Sequence, residues 1–368
     1  MNSAKILTLV ATTMLGLGMT GVKTAYGAEP SQTGKTDNTD SVVQIDGEAA
    51  APKFVSVEED DIVLSAEQHA QGLAIPAKVF KPKFDKDVGP GPAILVMHGS
   101  GGLHKMPNGN DAGACSRDLE EQYDRWGKAL AKRGYVVLMP ASYTARGFCD
   151  MHTDEGRIPK SYGNRSAAIV SRLYDMDVAA NYLCEMDEVD CQRMGVLGFS
   201  HGATMAMLAL HWQMDHALTK FRGSDKGKEV DFEMPNLSGD RPKFKVGVAY
   251  YPGCGTDGFL PKETGEGVDI KDKYFPSADL YVLHASRDEL AQICTVDASV
   301  KGASGEREIQ SAEVAATKDI DDRYNIEVYD RAGHGFDSDE KEANEPGNPS
   351  AATQARSVAL NQLYSHLN

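Results

Sequence analysis

The sequence predicts an α/β domain, with a mostly parallel central sheet and helices on both faces. Three observations predict it. Short apolar runs recur along the chain: Ala93–Met97, Tyr135–Met139, Arg193–Leu197, Phe244–Tyr251, Leu280–His284 and Ile326–Tyr329. Segments with helical spacing separate several of them. The runs are continuous rather than alternating, as expected of strands buried on both faces of a parallel sheet. With 368 residues, 41% hydrophobic and 25% charged, the chain has the composition of a globular protein.

The N-terminus reads as separate from that domain. Lys5 precedes the mostly apolar run Ile6–Gly18, and small residues lead to Ala25-Tyr26-Gly27-Ala28. This is the order of a cleavable secretory signal. The run is shorter than the roughly 20 residues of a spanning helix. The expected organisation is a signal peptide over 1–27, a disordered linker over 28–52 rich in Ser, Thr, Gly and Asp, and one domain over 53–368. The expected location is periplasmic or secreted, with no membrane contact beyond the signal. A net charge of −16 argues against nucleic-acid and anionic-lipid partners, which select Lys/Arg patches.

Within the domain, Tyr123, Trp126 and Leu130 share a helix face that ends at Lys132-Arg133-Gly134. Pro140 stops the strand that follows. Ser166–Cys184 is a helix with Ile169, Leu173, Met176, Ala180 and Leu183 on one face, and Ala203–Trp212 is another. Thr219–Lys243 is polar, contains Gly and Pro, and reads as a surface insertion. Ala351–Leu367 closes the chain as a helix.

Gly198-Phe199-Ser200-His201-Gly202 follows a strand and opens a helix. A G-x-S-x-G pentapeptide in that context is a nucleophile elbow, which lifts the serine above the sheet. The hydroxyl needs a base, and the base an orienting acid, in the chain order Ser, Asp/Glu, His. Among ten histidines, His69, His98, His104 and His152 precede the serine and His201 adjoins it. His211 and His216 fall on or just after the elbow helix, His284 lies in a strand and His366 in the last helix. His334, in a Gly-flanked loop after a strand, is the candidate base. Asp288, after the Leu280–His284 strand, is the candidate acid, with Glu289 the alternative. The candidate oxyanion donors are the amides of His201 and of Ser100, with Gly101 the next choice for the second. Arg146 is a candidate for holding a substrate carboxylate, and Tyr143 and Tyr251 for lining an apolar pocket. No Cys/His group has metal-ligand spacing, so neither metal nor cofactor is expected.

These stretches resemble the dienelactone hydrolase family of the α/β-hydrolase superfamily. The resemblance runs through Ala93–Leu103, Arg133–Val137, Met194–Ala203, Tyr251-Pro252, His284–Asp288 and Ala332–Asp337. It implies the α/β-hydrolase fold and hydrolysis of a carboxylic ester or lactone through an acyl-enzyme. The partner it implies is a small-molecule or polymer-borne ester. The family's namesakes carry a Cys nucleophile, here Ser200, and a Glu near the oxyanion loop, where this chain has Gly99. Those departures point toward a general esterase. The readings kept beside it are a serine peptidase on the same fold and a non-catalytic binding protein.

Six cysteines fall in the exported part, and an even count there suggests disulfides. Fifteen pairings are possible. Loop positions favour Cys115–Cys149, Cys184–Cys191 and Cys254–Cys294.

Overall fold

The computed structural model describes residues 52–68, 72–106, 115–151, 165–210, 220–225, 228–233, 243–252, 276–288, 323–338 and 347–368. All belong to one unit, Ala51–Asn368. The expected signal peptide and nearly all of the expected linker lie outside the described residues.

The elements in chain order are β1 (Phe54–Leu64), β2 (Ile75–Phe84), β3 (Gly91–Met97), α1 (Glu121–Ala131), β4 (Val136–Pro140), α2 (Arg165–Glu185), β5 (Val189–Phe199), α3 (His201–Ala209), β6 (Lys220–Asp225), β7 (Lys228–Glu233), β8 (Val246–Tyr250), β9 (Asp279–Ala285), β10 (Tyr324–Tyr329) and α4 (Asn348–Leu367). Eight strands form the main sheet in the order β1-β2-β4-β3-β5-β8-β9-β10. From β4 to β10 every neighbour is parallel. β2 runs antiparallel to both β1 and β4. Apart from Gly91, the residues of β3, β4 and β8 are buried, which is why their sequences read as unbroken apolar runs.

Each sheet face carries its own core. Leu173, Met176 and Leu183 of α2 pack with Met205 and Leu208 of α3 on one face. On the other, Trp126 and Leu130 of α1 pack with Ala355, Ala359 and Leu363 of α4. The expected faces are buried at Tyr123, Trp126 and Leu130 of α1 and at Leu173, Met176, Ala180 and Leu183 of α2. At 25 cal/mol per Å², each such large side chain contributes roughly 1.5–3 kcal/mol on burial.

Four strands add to the sequence expectation. β1 and β2 form an antiparallel hairpin at the sheet edge, and their charged residues hide it from a hydrophobic-run search. Lys83 meets Glu58 at 2.8 Å, Lys81 meets Asp60 at 3.1 Å and Lys78 meets Asp61 at 3.2 Å across the pair. Such exposed pairs contribute little singly, but a charged edge resists pairing with another sheet. β6 and β7 form a separate two-stranded sheet inside the expected insertion. The alternation Glu229-Val-Asp-Phe-Glu233 is the signal that marks it.

Two of the expected disulfides are formed. Cys184–Cys191 joins the end of α2 to β5, and Cys115–Cys149 joins the loops after β3 and β4. Their sequence separations are 7 and 34 residues, and loop-closure entropy assigns them about 2.5 and about 3.8 kcal/mol. Cys254 and Cys294 lie outside the described residues.

Candidate active site

The candidate residues come from loops at the carboxyl ends of the parallel strands, where ligand sites of open α/β sheets form. Ser200 sits between β5 and α3 with φ 50° and ψ −117°. A non-glycine residue held at positive φ costs about 1–3 kcal/mol and persists only where its surroundings enforce it. Here the Ser200 N–H donates to Tyr250 C=O at 2.9 Å, extending the β5–β8 ladder, while α3 starts at the next residue. The flanking glycines are required by space. A Cβ at Gly198 would overlap the Gly202 backbone, and one at Gly202 would overlap the Met97 and His98 carbonyls.

His334 lies in the turn after β10. Its Nε2 is 2.9 Å from Ser200 Oγ and its Nδ1 is 2.7 Å from Asp288 Oδ2. Asp288, in the turn after β9, has a side chain only 1% exposed, against 13% for His334. A buried carboxylate on Nδ1 fixes the proton there and leaves Nε2 to accept from the serine. The two turns are tied together. Ser286 N–H donates to Tyr329 C=O at 3.0 Å, Arg287 N–H to Ala332 C=O at 2.9 Å, and Arg331 N–H to Ser286 Oγ at 2.8 Å. Asn348, at the start of α4, accepts the Gly333 N–H at 2.9 Å.

His284, another of the histidines, is buried in β9 and takes the Ala285 N–H on its Nδ1. Burial holds its ring below the ordinary imidazole range, and Asp288 pulls the other way. Glu289 lies outside the described residues.

The loop after β3 faces the elbow. The Gly99 N–H is already used, donating to Tyr123 Oη at 2.8 Å. Neither Ser100 nor Gly101 donates its N–H to a protein acceptor among the described residues. Both amides thus remain candidates for the oxyanion, with that of His201 at the start of α3. The Met151 N–H holds the Ser100 carbonyl at 2.7 Å, so the chain two residues past the Cys115–Cys149 bridge braces this turn.

Behind His334 lies a polar cluster that sequence reasoning missed. Asp337 is fully buried and accepts from Trp126 Nε1 at 2.7 Å and Arg356 Nη2 at 2.6 Å. Arg125 donates to its carbonyl at 2.7 Å. Gln122 spans from Asp337 (3.4 Å) to the Tyr251 hydroxyl (2.8 Å). Burial pushes the Asp337 carboxyl above its ordinary range, against the opposing pull of Arg356. Asp337→Ala is expected to destabilise the fold by about 3 kcal/mol, the low end for breaking a buried pair, because both arginines reach solvent. Chemical denaturation measures it, and a change under about 1 kcal/mol would contradict this account.

The three candidate pocket residues, Arg146, Tyr143 and Tyr251, all sit in packed surroundings. Arg146 makes a bidentate pair with buried Asp175 at 2.8 and 3.0 Å and is itself only 6% exposed. It is committed to holding the loop after β4 against α2. Tyr143 is buried, with its hydroxyl 3.0 Å from His201 Nδ1 and its ring stacked on Phe148. It packs beneath the elbow. Tyr251 is also buried, at positive φ, with its ring edge-on to His334 at 5.0 Å. It borders the ring of the candidate base.

A further residue escaped the sequence reading. Arg172 of α2 is fully buried and contacts both His201 and the His98 carbonyl. A charged residue three positions after Ile169, inside the apolar stripe of that helix, is the signal that could have found it.

Among the described residues, no group of His, Cys, Asp and Glu could hold a metal ion, and no helix is long and apolar enough to cross a membrane. Residues 75–233 match the dienelactone hydrolase family. The match includes Ser200 and ends before Asp288 and His334. No curated protein matches the chain. Among solved structures, it resembles a candidate dienelactone hydrolase of Klebsiella pneumoniae, with 16% identity, TM-score 0.50, and 84% of this chain and 99% of that one covered. It also resembles a dienelactone hydrolase-like promiscuous phosphotriesterase from metagenomic libraries. There the identity is 14% and the TM-score 0.50, over 85% of this chain and all of the other. The chain thus has the α/β-hydrolase fold, and residues 75–233, less than half of it, are similar to the dienelactone hydrolase family.

Proposed function

We propose that the protein is an exported serine esterase that cleaves a carboxylic ester or lactone. One observation carries the reading: the continuous hydrogen-bonded line from Asp288 through His334 to Ser200. Ser200 Oγ attacks the ester carbonyl and His334 Nε2 takes its proton, while Asp288 steadies the imidazolium. The oxyanion forms against the His201 and Ser100 amides. On collapse, His334 returns the proton to the departing alcohol and an acyl-Ser200 ester remains. A water, deprotonated by His334, then releases the acid. Export is supported by the signal-like N-terminus and by two disulfides, which persist in oxidising compartments.

The test is turnover of p-nitrophenyl acetate and butyrate, with and without a serine-directed phosphonate whose site of attachment is mapped by mass spectrometry. The proposal expects saturable turnover and stoichiometric labelling of Ser200 with loss of activity. Labelling elsewhere, or full activity after Ser200 is blocked, would overturn it. A peptidase would instead cleave the matched p-nitroanilides at comparable rates.

A further inference from the structure

Arg172 lies beneath the elbow with none of its surface exposed. Its Nη1 is 2.6 Å from His201 Nδ1 and donates to the Tyr143 hydroxyl at 3.3 Å, while Nη2 donates to the His98 carbonyl at 2.6 Å. The guanidinium carbon also sits 5.1 Å from the centre of the Tyr143 ring. Among the described residues no carboxylate lies within ion-pair distance of it. The other buried guanidinium nearby, Arg146, is neutralised by Asp175. Leaving a buried cation uncompensated costs several kcal/mol, and an apolar residue would fill this stripe of α2 without that penalty.

The acceptors Arg172 chooses indicate its role. His201 is the first residue of α3 and follows the nucleophile. His98 stands two residues before Ser100, at the start of the loop after β3. We propose that Arg172 is a positioning residue for the oxyanion hole, clasping its two halves so that the His201 and Ser100 amides converge on one point. This rests on the esterase reading above.

Two consequences of the geometry support the proposal. A guanidinium only donates, so His201 Nδ1 must present its lone pair. The His201 ring is thereby fixed in one tautomer and rotamer, and with it the start of the helix. Second, an unneutralised charge in a site of low dielectric favours the negative charge that develops on the carbonyl oxygen during attack. His98 adds no competing cation, because burial first and Arg172 second hold its ring well below the ordinary range, and so neutral.

The experiment compares wild type with Arg172→Lys, Arg172→Met and Tyr143→Phe on p-nitrophenyl butyrate. It also measures inhibition by a trifluoromethyl ketone, whose serine adduct mimics the tetrahedral intermediate. Lys can reach one of the three acceptors but cannot span them. The expected result for both Arg172 variants is a fall in kcat of about 100-fold, as for loss of one oxyanion donor, with KM changed less than threefold. Ketone affinity should fall by a factor similar to that in kcat/KM, a correspondence that loss of general packing would not produce. Should the Arg172 variants fail to fold, as judged by thermal melting, Tyr143→Phe decides. It removes one hydroxyl from the clasp, and a fall in kcat matched by weaker ketone binding supports the proposal. Folded Arg172 variants with kcat and ketone affinity within threefold of wild type overturn it, as does an unchanged Tyr143→Phe when they do not fold. Phosphonate labelling of Ser200 in the wild type, run alongside, separates the two claims: its absence sinks the esterase reading, whereas labelling with indifferent Arg172 variants sinks only this inference.

Discussion

Ser200→Ala is expected to lower ester turnover by about 10⁶-fold, and His334→Ala by nearly as much. The double variant should lie within about tenfold of either single one. The reason is geometric: Ser200 Oγ and His334 Nε2 share one hydrogen bond of 2.9 Å, and neither group performs its part without the other. A small residual rate should survive from the amides that hold the carbonyl, since neither substitution removes a backbone N–H. Steady-state assays on purified variants, with active-site titration of the wild type, measure all three. Independent, multiplying losses would mean that the two residues do not act as a unit. His334→Ala with near wild-type turnover would show that the base lies elsewhere.

The second large effect is expected at the acid. Asp288→Asn should cost about 10⁴-fold in kcat. Its side chain is 1% exposed and faces His334 Nδ1 at 2.7 Å. An amide in that place presents an N–H where the imidazole needs an acceptor, so the ring turns its other tautomer toward the serine. His284→Gln is the contrast. Its ring sits in β9 with Nδ1 occupied by the Ala285 N–H, and it should lose less than tenfold. If Glu289→Gln loses more than Asp288→Asn, the acid is Glu289.

The parts legible in the sequence are those whose physics is local. Strands β3, β4 and β8 and the Met194–Phe199 half of β5 are buried on both faces, so their positions are apolar and the run is visible without knowing its neighbours. The elbow is equally local, because one sharp turn dictates the glycines on either side of its serine. The candidate triad, Ser200, Asp288 and His334, was reached from the order of strands, and the structure places these three side chains within hydrogen-bond distance of one another in a line. What escaped depends on partners far along the chain. Arg146 looked available for a substrate because Asp175, its partner, comes 29 residues later on another element. Tyr143 looked like pocket lining for the same reason, its hydroxyl being taken by His201 across 58 residues. The β1–β2 hairpin was hidden because its charges read as loop until the Lys–Glu and Lys–Asp pairs across it are seen. Arg172 and Asp337 are buried charges, which hydrophobic patterning treats as interruptions rather than as parts of a site.

The backbone at Ser200, turned to φ 50°, sets the protein's chemistry against its durability. Glycine would rest in that conformation without a clash between its side chain and the neighbouring peptides. The proposed nucleophile therefore occupies a place where the chain would be better off with no side chain at all. A lineage or a laboratory screen that rewarded heat resistance alone would drift toward glycine at position 200 and arrive at a sturdier, inert protein. Serine at this position is what a demand for turnover, rather than for folding, would maintain.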